Sequence, residues 1–359
     1  MSSLTIHASS HDYEVIIEEG IRHELLNYIA SDYRKVLVIT DDKVSNIYLD
    51  DVVRGLGKEL DVHTSIVPSG ESSKSMRQYE RLLDACVEVQ LDRHSLILAL
   101  GGGMIGDLVG FVASTYLRGI DFIQMPTTIL AHDSSVGGKV AINHLKGKNL
   151  IGSFYNPVKV IYDTETLFTL PAEEIRSGYG EVIKHAFLSS EEWCSNLLQV
   201  SLDNISSEQI KDDLMKGIKV KAGIVESDER EKGIRRYLNL GHTLAHAVES
   251  ELGYGKITHG EAVGIGLWFA LRVSQRKLDA SLPVDRYRDW LKSNHYPFDI
   301  LKDLEVDTLL KRMKWDKKTV HQKINYVLLN QIGTPCVVEL SDQEIQTDLN
   351  LFIKEVRAT

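Results

Sequence analysis

Two histidines four residues apart, His242 and His246 in LNLGHTLAHAVE, share one face of a segment with helical periodicity. A third, His259, follows in THGEAVGIG, and a carboxylate, Glu181, lies upstream in GEVIKHA. Imidazole nitrogens and a carboxylate oxygen are the donor set of a divalent metal that keeps one position open for substrate or water. The spacing is that of the two histidines of HExxH, but the glutamate after the first histidine is missing, which argues against a zinc peptidase. Glu249 lies close by, seven residues after His242. Spacing alone leaves open whether His246 is a third imidazole ligand or faces a substrate.

A second candidate is the run SLILALGGGMIGDLVGFVAS, which reads as strand, glycine turn and helix. Gly101, Gly103 and Gly106 satisfy G-x-G-x-x-G, with Gly102 as an extra glycine. Such a turn lets backbone N–H groups approach a pyrophosphate at a helix N-terminus. The usual dinucleotide fingerprint follows the first strand, whereas here two or three strands come before it, so a variant fold is expected. Asp107 lies at the start of the following helix as a cofactor contact or a helix N-terminal acid. Asp121 has the separation of a ribose acid, but it follows YLRG and opens another strand, and we assign it no role.

The third is a set of cations in an acidic chain. Lys139, Lys146 and Lys148 fall in GGKVAINHLKGKNL; Lys184, Lys221, Arg235 and Arg236 follow. Any one of these reads first as a solvated charge. Lys139 and Lys148 stand out because glycines flank both on what reads as a loop, a setting suited to phosphate or carboxylate capture. Asp133, in AHDSSVGGK, could hold such a lysine or bind a sugar hydroxyl. Together the three sets point to metal- and nicotinamide-dependent oxidation of an alcohol on a hydroxylated, phosphorylated substrate.

These residues need elements to position them. The chain has 359 residues, 43% hydrophobic and 26% charged, enough for two domains with their own cores. A formal net charge of −10 argues against a general nucleic-acid binder. Three scattered cysteines, Cys86, Cys194 and Cys336, fit free thiols in a reducing cytosol. The start, MSSLTIHASSHDYE, has no secretory pattern, and no apolar run approaches the ~20 residues of a membrane span. A cytoplasmic protein is expected. YEVIIEE, KVLVIT, VHTSIVP, SLILAL, FIQMP and KVIYD read as strands, alternating with helical segments such as MRQYERLLDACVEV. After Leu170 the pattern turns helical, with AEEIRSGYGEVIKHAFL and SEQIKDDLMKGIKVKAGIVES. INYVLL and CVVEL are later strands, and a last helix starts near Ser341. The expectation is an α/β domain with a mostly parallel sheet over residues 1–170, binding NAD. A mainly helical domain over 171–359 would bind metal and substrate.

At these residues the chain resembles the 3-dehydroquinate synthase family of sugar-phosphate cyclases. The similarity lies in GGGMIGDLVGFVASTYLRGIDFIQMPTTIL, DSSVGGKVAIN, GKNLIG, SGYGEVIKHA, DEREKGIRRYLNLGHTLAHAVE and HGEAVGIG, and extends weakly to DKK at 316–318. The resemblance implies that Glu181, His242 and His259 bind Zn2+ or Co2+, and that His246 is on the substrate side. It implies NAD contacts from Asp41, Glu71, Lys74, Gly102, Gly103, Asp107, Thr127 and Thr128, and from Thr166 through Thr169. It puts Asp133, Lys139, Lys148, Asn149, Lys184, Lys221, Arg235 and Asn239 around the substrate, Lys139 and Lys148 also near the cofactor. Arg118 resembles an arginine that reaches a partner's site, which implies a homodimer. TTILAHDSS is one residue shorter than in many members and carries His132.

The implied reaction converts 3-deoxy-D-arabino-heptulosonate 7-phosphate, an anionic sugar phosphate, into 3-dehydroquinate and phosphate. In the family it runs through transient oxidation at C5 by NAD, β-elimination of phosphate, re-reduction, ring opening and aldol closure, as the second step of the shikimate pathway. Other readings are another cyclase, such as a 2-deoxy-scyllo-inosose or valiolone-type synthase, a polyol dehydrogenase of the glycerol dehydrogenase type, or an inactive nucleotide-binding scaffold.

Overall fold

The apolar strand runs form a twisted sheet in a computed structural model that describes residues 2–253, 255–316 and 324–358. The strands of the first half are β1 (Ser2–Ile6), β2 (Tyr13–Glu18), β3 (Lys35–Asp41), β4 (Asp61–Val67), β5 (Leu96–Gly101), β6 (Phe122–Pro126), β7 (Lys139–His144), β8 (Gly147–Phe154) and β9 (Lys159–Asp163). Seven of them build one sheet in the order β1-β2-β9-β6-β5-β3-β4. Every pairing in it is parallel except β1 with β2. Parallel strands are covered on both faces, and β5 shows it, with all six residues buried. Successive residues point to opposite faces. Leu37, Ile39, Ile97 and Ala99 enter one core with Leu82, Leu108 and Val112. Val36, Val38, Leu96, Leu98 and Leu100 enter the other with Leu25, Val52 and Leu56.

The longer helices are α1 (Met76–Glu88), α2 (Gly103–Thr115), α3 (Ala172–Phe187), α4 (Ser207–Ser227), α5 (His242–Leu252), α6 (His259–Leu278), α7 (Val284–Ser293), α8 (Val306–Asp316) and α9 (Asp342–Ala358). The antiparallel pair β10 (Ile324–Gln331) and β11 (Thr334–Leu340) precedes α9. Two compact units result. The first comprises 1–170 together with 207–230, and the second comprises 171–206 together with 231–359. A break at Leu170–Pro171 is where the sequence pattern changes, but α4 returns to the first unit rather than joining the helices around it in sequence.

Three further details depart from the sequence expectations. Four strands precede β5, the strand that leads into the glycine turn, not two or three. The segment bearing Lys139 and Lys148 is the antiparallel β7–β8 hairpin, not an irregular loop. The N-terminal strand β1 was not expected at all. Of DKK, Lys317 and Lys318 lie outside the described residues. Among the described residues no helix is long and apolar enough to cross a membrane.

Candidate active site

In the second unit the three candidate ligands come from two helix N-termini and a helix interior. Glu181 lies in α3, His242 opens α5 and His259 opens α6. One donor atom from each lies within 4.8 Å of the other two. The Nε2 atoms of His242 and His259 are 3.3 and 3.5 Å from Glu181 Oε1. Their other ring nitrogens are taken: His242 Nδ1 donates to the Leu240 carbonyl at 3.2 Å and His259 Nδ1 to Glu249 Oε2 at 3.1 Å. An acceptor on Nδ1 orients the ring and leaves Nε2 to face a cation. Glu249, noted in the sequence only for its proximity, is therefore an orienting residue for His259.

Electrostatics agree with that donor set. Burial lowers the pKa of His242, against the opposing carboxylate of Glu181, and so favours the neutral ring that a ligand requires. Burial pushes His259 the same way, but Glu249 and Glu181 outweigh it and raise the group to about 10. Two carboxylates that hold a proton this firmly also favour a metal cation in its place. His246 completes the cluster, its ring centroid 5.5 Å from that of His242 and 5.8 Å from that of His259. A second donor group, His246, Glu249 and His259, is also geometrically compact. It would take Glu249 away from orienting His259, so the set with Glu181 is the better fit.

Each candidate ligand stands beside a glycine: Gly180–Glu181, Gly241–His242 and His259–Gly260. A Cβ on Gly180 would lie 1.9 Å from the Gly260 carbonyl oxygen, and one on Gly260 would lie 1.7 Å from that of Ser177. The backbones of α3 and α6 touch there, which brings Glu181 to His259. Gly241, at φ +82, packs against Val263 and Leu267 of α6. The start of α6 is fixed by a capping box between Thr258 and Glu261. Glu261 also accepts from Arg176 Nε at 2.7 Å. Gly180→Ala is expected to cost about 3 kcal/mol, because backbone and not a side chain must move. Denaturant unfolding and zinc content measure it, and wild-type values for both would refute the packing argument.

In the first unit the expected cofactor residues gather at the carboxyl ends of parallel strands. Asp41 ends β3; Glu71 and Lys74 follow β4; Gly102, Gly103 and Asp107 follow β5; Thr127 and Thr128 follow β6; Thr166 and Thr169 follow β9. The strand order reverses between β3 and β5, and ligands of open α/β sheets bind outside the carboxyl ends at such a switch point. Gly102 is the N-cap of α2 and no side chain caps it. A Cβ on Gly103 would meet Ser134 Oγ at 2.8 Å, and one on Gly102 would meet Thr128 Cγ2 at 3.0 Å. The buried Thr128 hydroxyl beside this turn has no hydrogen-bond partner among the described residues. A bare helix N-terminus, a turn where added β-carbons would crowd Thr128 and Ser134, and an orphaned hydroxyl fit a dinucleotide pyrophosphate.

Lys74 is buried, with its Nζ 2.7 Å from Asp107 Oδ2 and 3.7 Å from Glu71 Oε1. Burial would lower its pKa, but the two carboxylates raise it above the usual value, so it stays cationic. Some expected contacts have local partners. Asp41 accepts from the N–H groups of Lys43 and Val44 as a helix cap. The Thr169 hydroxyl hydrogen-bonds with that of Tyr48 at 2.6 Å, and Thr166 Oγ1 donates to the Asp163 carbonyl.

Lys221 on α4 donates to Asp133 Oδ2 at 2.8 Å. Asp133 thus holds a lysine from almost ninety residues away in sequence. The shortened segment forms a helical turn, Ala131–Ser134, and buries His132. Lys139 opens β7, and Lys148 and Asn149 lie in β8, with Asn149 at φ +53. In the second unit Lys184 is buried and ion-paired with Glu181, one turn before it on α3. Arg235, buried, and Asn239, bonded to Glu231 at 3.2 Å, lie on the 3-10 segment Ile234–Asn239. Arg118 is exposed at φ +68 and makes no ion pair among the described residues. Sequence reasoning missed Glu249 as an orienting group and Asn143, which bonds to Glu71.

The fold is that of the dehydroquinate synthase-like cyclases. It superposes on 2-deoxy-scyllo-inosose synthase complexed with carbaglucose-6-phosphate, NAD+ and Co2+ with a TM-score of 0.89, at 25% identity, over 97% of this chain and 99% of that one. A 2-epi-5-epi-valiolone synthase from Streptomyces hygroscopicus, with NAD+ and Zn2+ bound, shares it with a TM-score of 0.83, at 22% identity and 99% coverage of both chains. The chain belongs to the 3-dehydroquinate synthase family: its N-terminal family pattern matches residues 64–177 and its C-terminal pattern residues 178–319. A 3-dehydroquinate synthase of Oceanobacillus iheyensis is 49% identical over 99% of both chains.

Proposed function

We propose that this chain carries out its family's reaction, the conversion of 3-deoxy-D-arabino-heptulosonate 7-phosphate into 3-dehydroquinate and inorganic phosphate. The observation that carries the reading is the convergence of Glu181, His242 and His259, each histidine oriented by an acceptor on its other nitrogen. The second unit would hold Zn2+ or Co2+ there, and the first would hold NAD at the glycine turn. A divalent ion supplies Lewis-acid polarisation of a hydroxyl or carbonyl, and NAD a reversible acceptor for hydride.

The side chains of this protein then have separable tasks. Glu181, His242 and His259 hold the ion, and Glu249 fixes the ring of His259. Lys74 with Asp107 and Glu71, the glycines, and Thr127 and Thr128 hold the cofactor, with Asp41 and the 166–169 turn at its edge. Lys139, Lys148, Asn149, Lys221 and Arg235 bind the anionic substrate, with Asn239 and His246 on its hydroxyl groups. Asp133 fixes the ammonium of Lys221. Lys184 stabilises negative charge that develops on the substrate carbon next to the transient ketone. Arg118, exposed and strained, would serve a partner copy in a homodimer, and the setting would be the cytoplasm.

The test is phosphate release from the heptulosonate phosphate with catalytic NAD and Zn2+. Release that EDTA stops, without NADH accumulating, is the expected result. Accumulating NADH would instead mark a polyol dehydrogenase. No release from protein with both cofactors bound would move the reading to another sugar phosphate.

A further inference from the structure

Asn143 lies on β7 between two groups already assigned to the cofactor and substrate, yet no role has been given to it. Its Nδ2 donates to Glu71 Oε1 at 2.9 Å. Its Oδ1 accepts from the backbone N–H of Asn149 at 2.9 Å. Its own N–H donates to the Lys74 carbonyl at 2.8 Å. Lys74 Nζ closes the ring, donating to Asn149 Oδ1 at 2.5 Å and to Asp107 Oδ2 at 2.7 Å.

From this ring we infer that Asn143 is a positioning residue for NAD, tying the β7–β8 hairpin to the turn at 71–74. The inference rests on the reading of that turn as a cofactor site. A side-chain amide offers both a donor and an acceptor, on separate atoms of one carbon. The donor orients a carboxylate; the acceptor holds Asn149 at its left-handed φ of +53, a conformation that L residues adopt rarely and asparagine more readily than most. With both held, Glu71 and Asn149 confine Lys74, and the lysine points one way before cofactor arrives. Alanine at 143 removes donor and acceptor while the β7–β8 backbone ladder remains. Aspartate keeps the shape and the acceptor but places a second carboxylate opposite Glu71.

The experiment is calorimetric titration of metal-loaded protein with NAD, for the parent and for N143A. Melting temperature, zinc content and amide exchange of Asn149 in the absence of NAD are read alongside. N143A should bind NAD about tenfold more weakly, the scale of one hydrogen bond to a charged group. It should raise KM for NAD to match, while kcat at saturating NAD stays within about twofold, since uniform binding alone is lost. The Asn149 amide should exchange faster, with melting and zinc content unchanged. If N143A does not fold, N143D is read in its place, with the same loss of NAD affinity expected. Parental NAD affinity in a folded variant overturns the inference and leaves the proposed function standing. A parent that does not bind NAD overturns the reading of the turn itself, and this inference with it.

Discussion

Lys184→Ala is expected to lose at least about a hundredfold in turnover while the protein stays folded, because one well-placed charge at a developing anion contributes about 3 kcal/mol to such barriers. The structure gives the reason for choosing this lysine among many. Lys184 follows Glu181 by three residues on α3, so both side chains project from one face, and its ammonium pairs with that carboxylate. It is 1% exposed. A surface lysine would be worth little, since water screens it. A buried one beside the carboxylate proposed to bind metal acts in a medium where each charge counts for more. Removing it costs some stability too, because Glu181 loses a partner, and Lys184→Met separates the effects by keeping the packed stem. Both variants should show parental circular dichroism, near-parental NAD affinity and greatly reduced kcat. Near-normal turnover in either would take Lys184 out of the catalytic set.

His242→Ala should abolish tight metal binding. Loss of a residue that only orients a ligand weakens metal affinity by about 10–100-fold, and loss of a ligand should exceed that. The ring sits at the first position of α5, after Gly241 in a left-handed turn, and its side chain is 13% exposed, so its removal opens no sealed core cavity. The variant should therefore purify folded but with zinc well below one per chain by elemental analysis, and turnover should fall with it. Stoichiometric zinc in His242→Ala would reject this ligand set in favour of His246, Glu249 and His259. Because His246 belongs only to the alternative set, His246→Ala is the natural companion: zinc retained with activity lost fits the substrate-side role.

Local pattern was enough for much of this protein. The helices Ala172–Phe187 and Ser207–Ser227 follow from their periodicity, and the strands KVLVIT, SLILAL and FIQMP from their continuous apolar runs. The strand–glycine–helix turn and the pair His242–His246 are short-range signals of the same kind. Their chemistry is carried by residue type and spacing, which tertiary packing does not change.

What only the tertiary structure decided involves partners far apart in sequence. The segment bearing Lys139 and Lys148 reads as a loop in sequence because glycines and polar residues interrupt its alternation; cross-strand pairing, not propensity, makes it a strand pair. Helix α4 reads like its helical neighbours, and nothing in its own residues says that it packs with the first unit and delivers Lys221 to Asp133. Glu249 and Asn143 are ordinary polar residues until a fold sets one against His259 and the other against Glu71. Glycine beside each metal-type ligand is visible in the sequence, but its purpose is not: it lets backbones touch, and which backbones touch is settled by burying the apolar faces of whole helices. Residue chemistry is local and can be read along the chain, whereas a site is made of distances across it, and those come from the packing of the core.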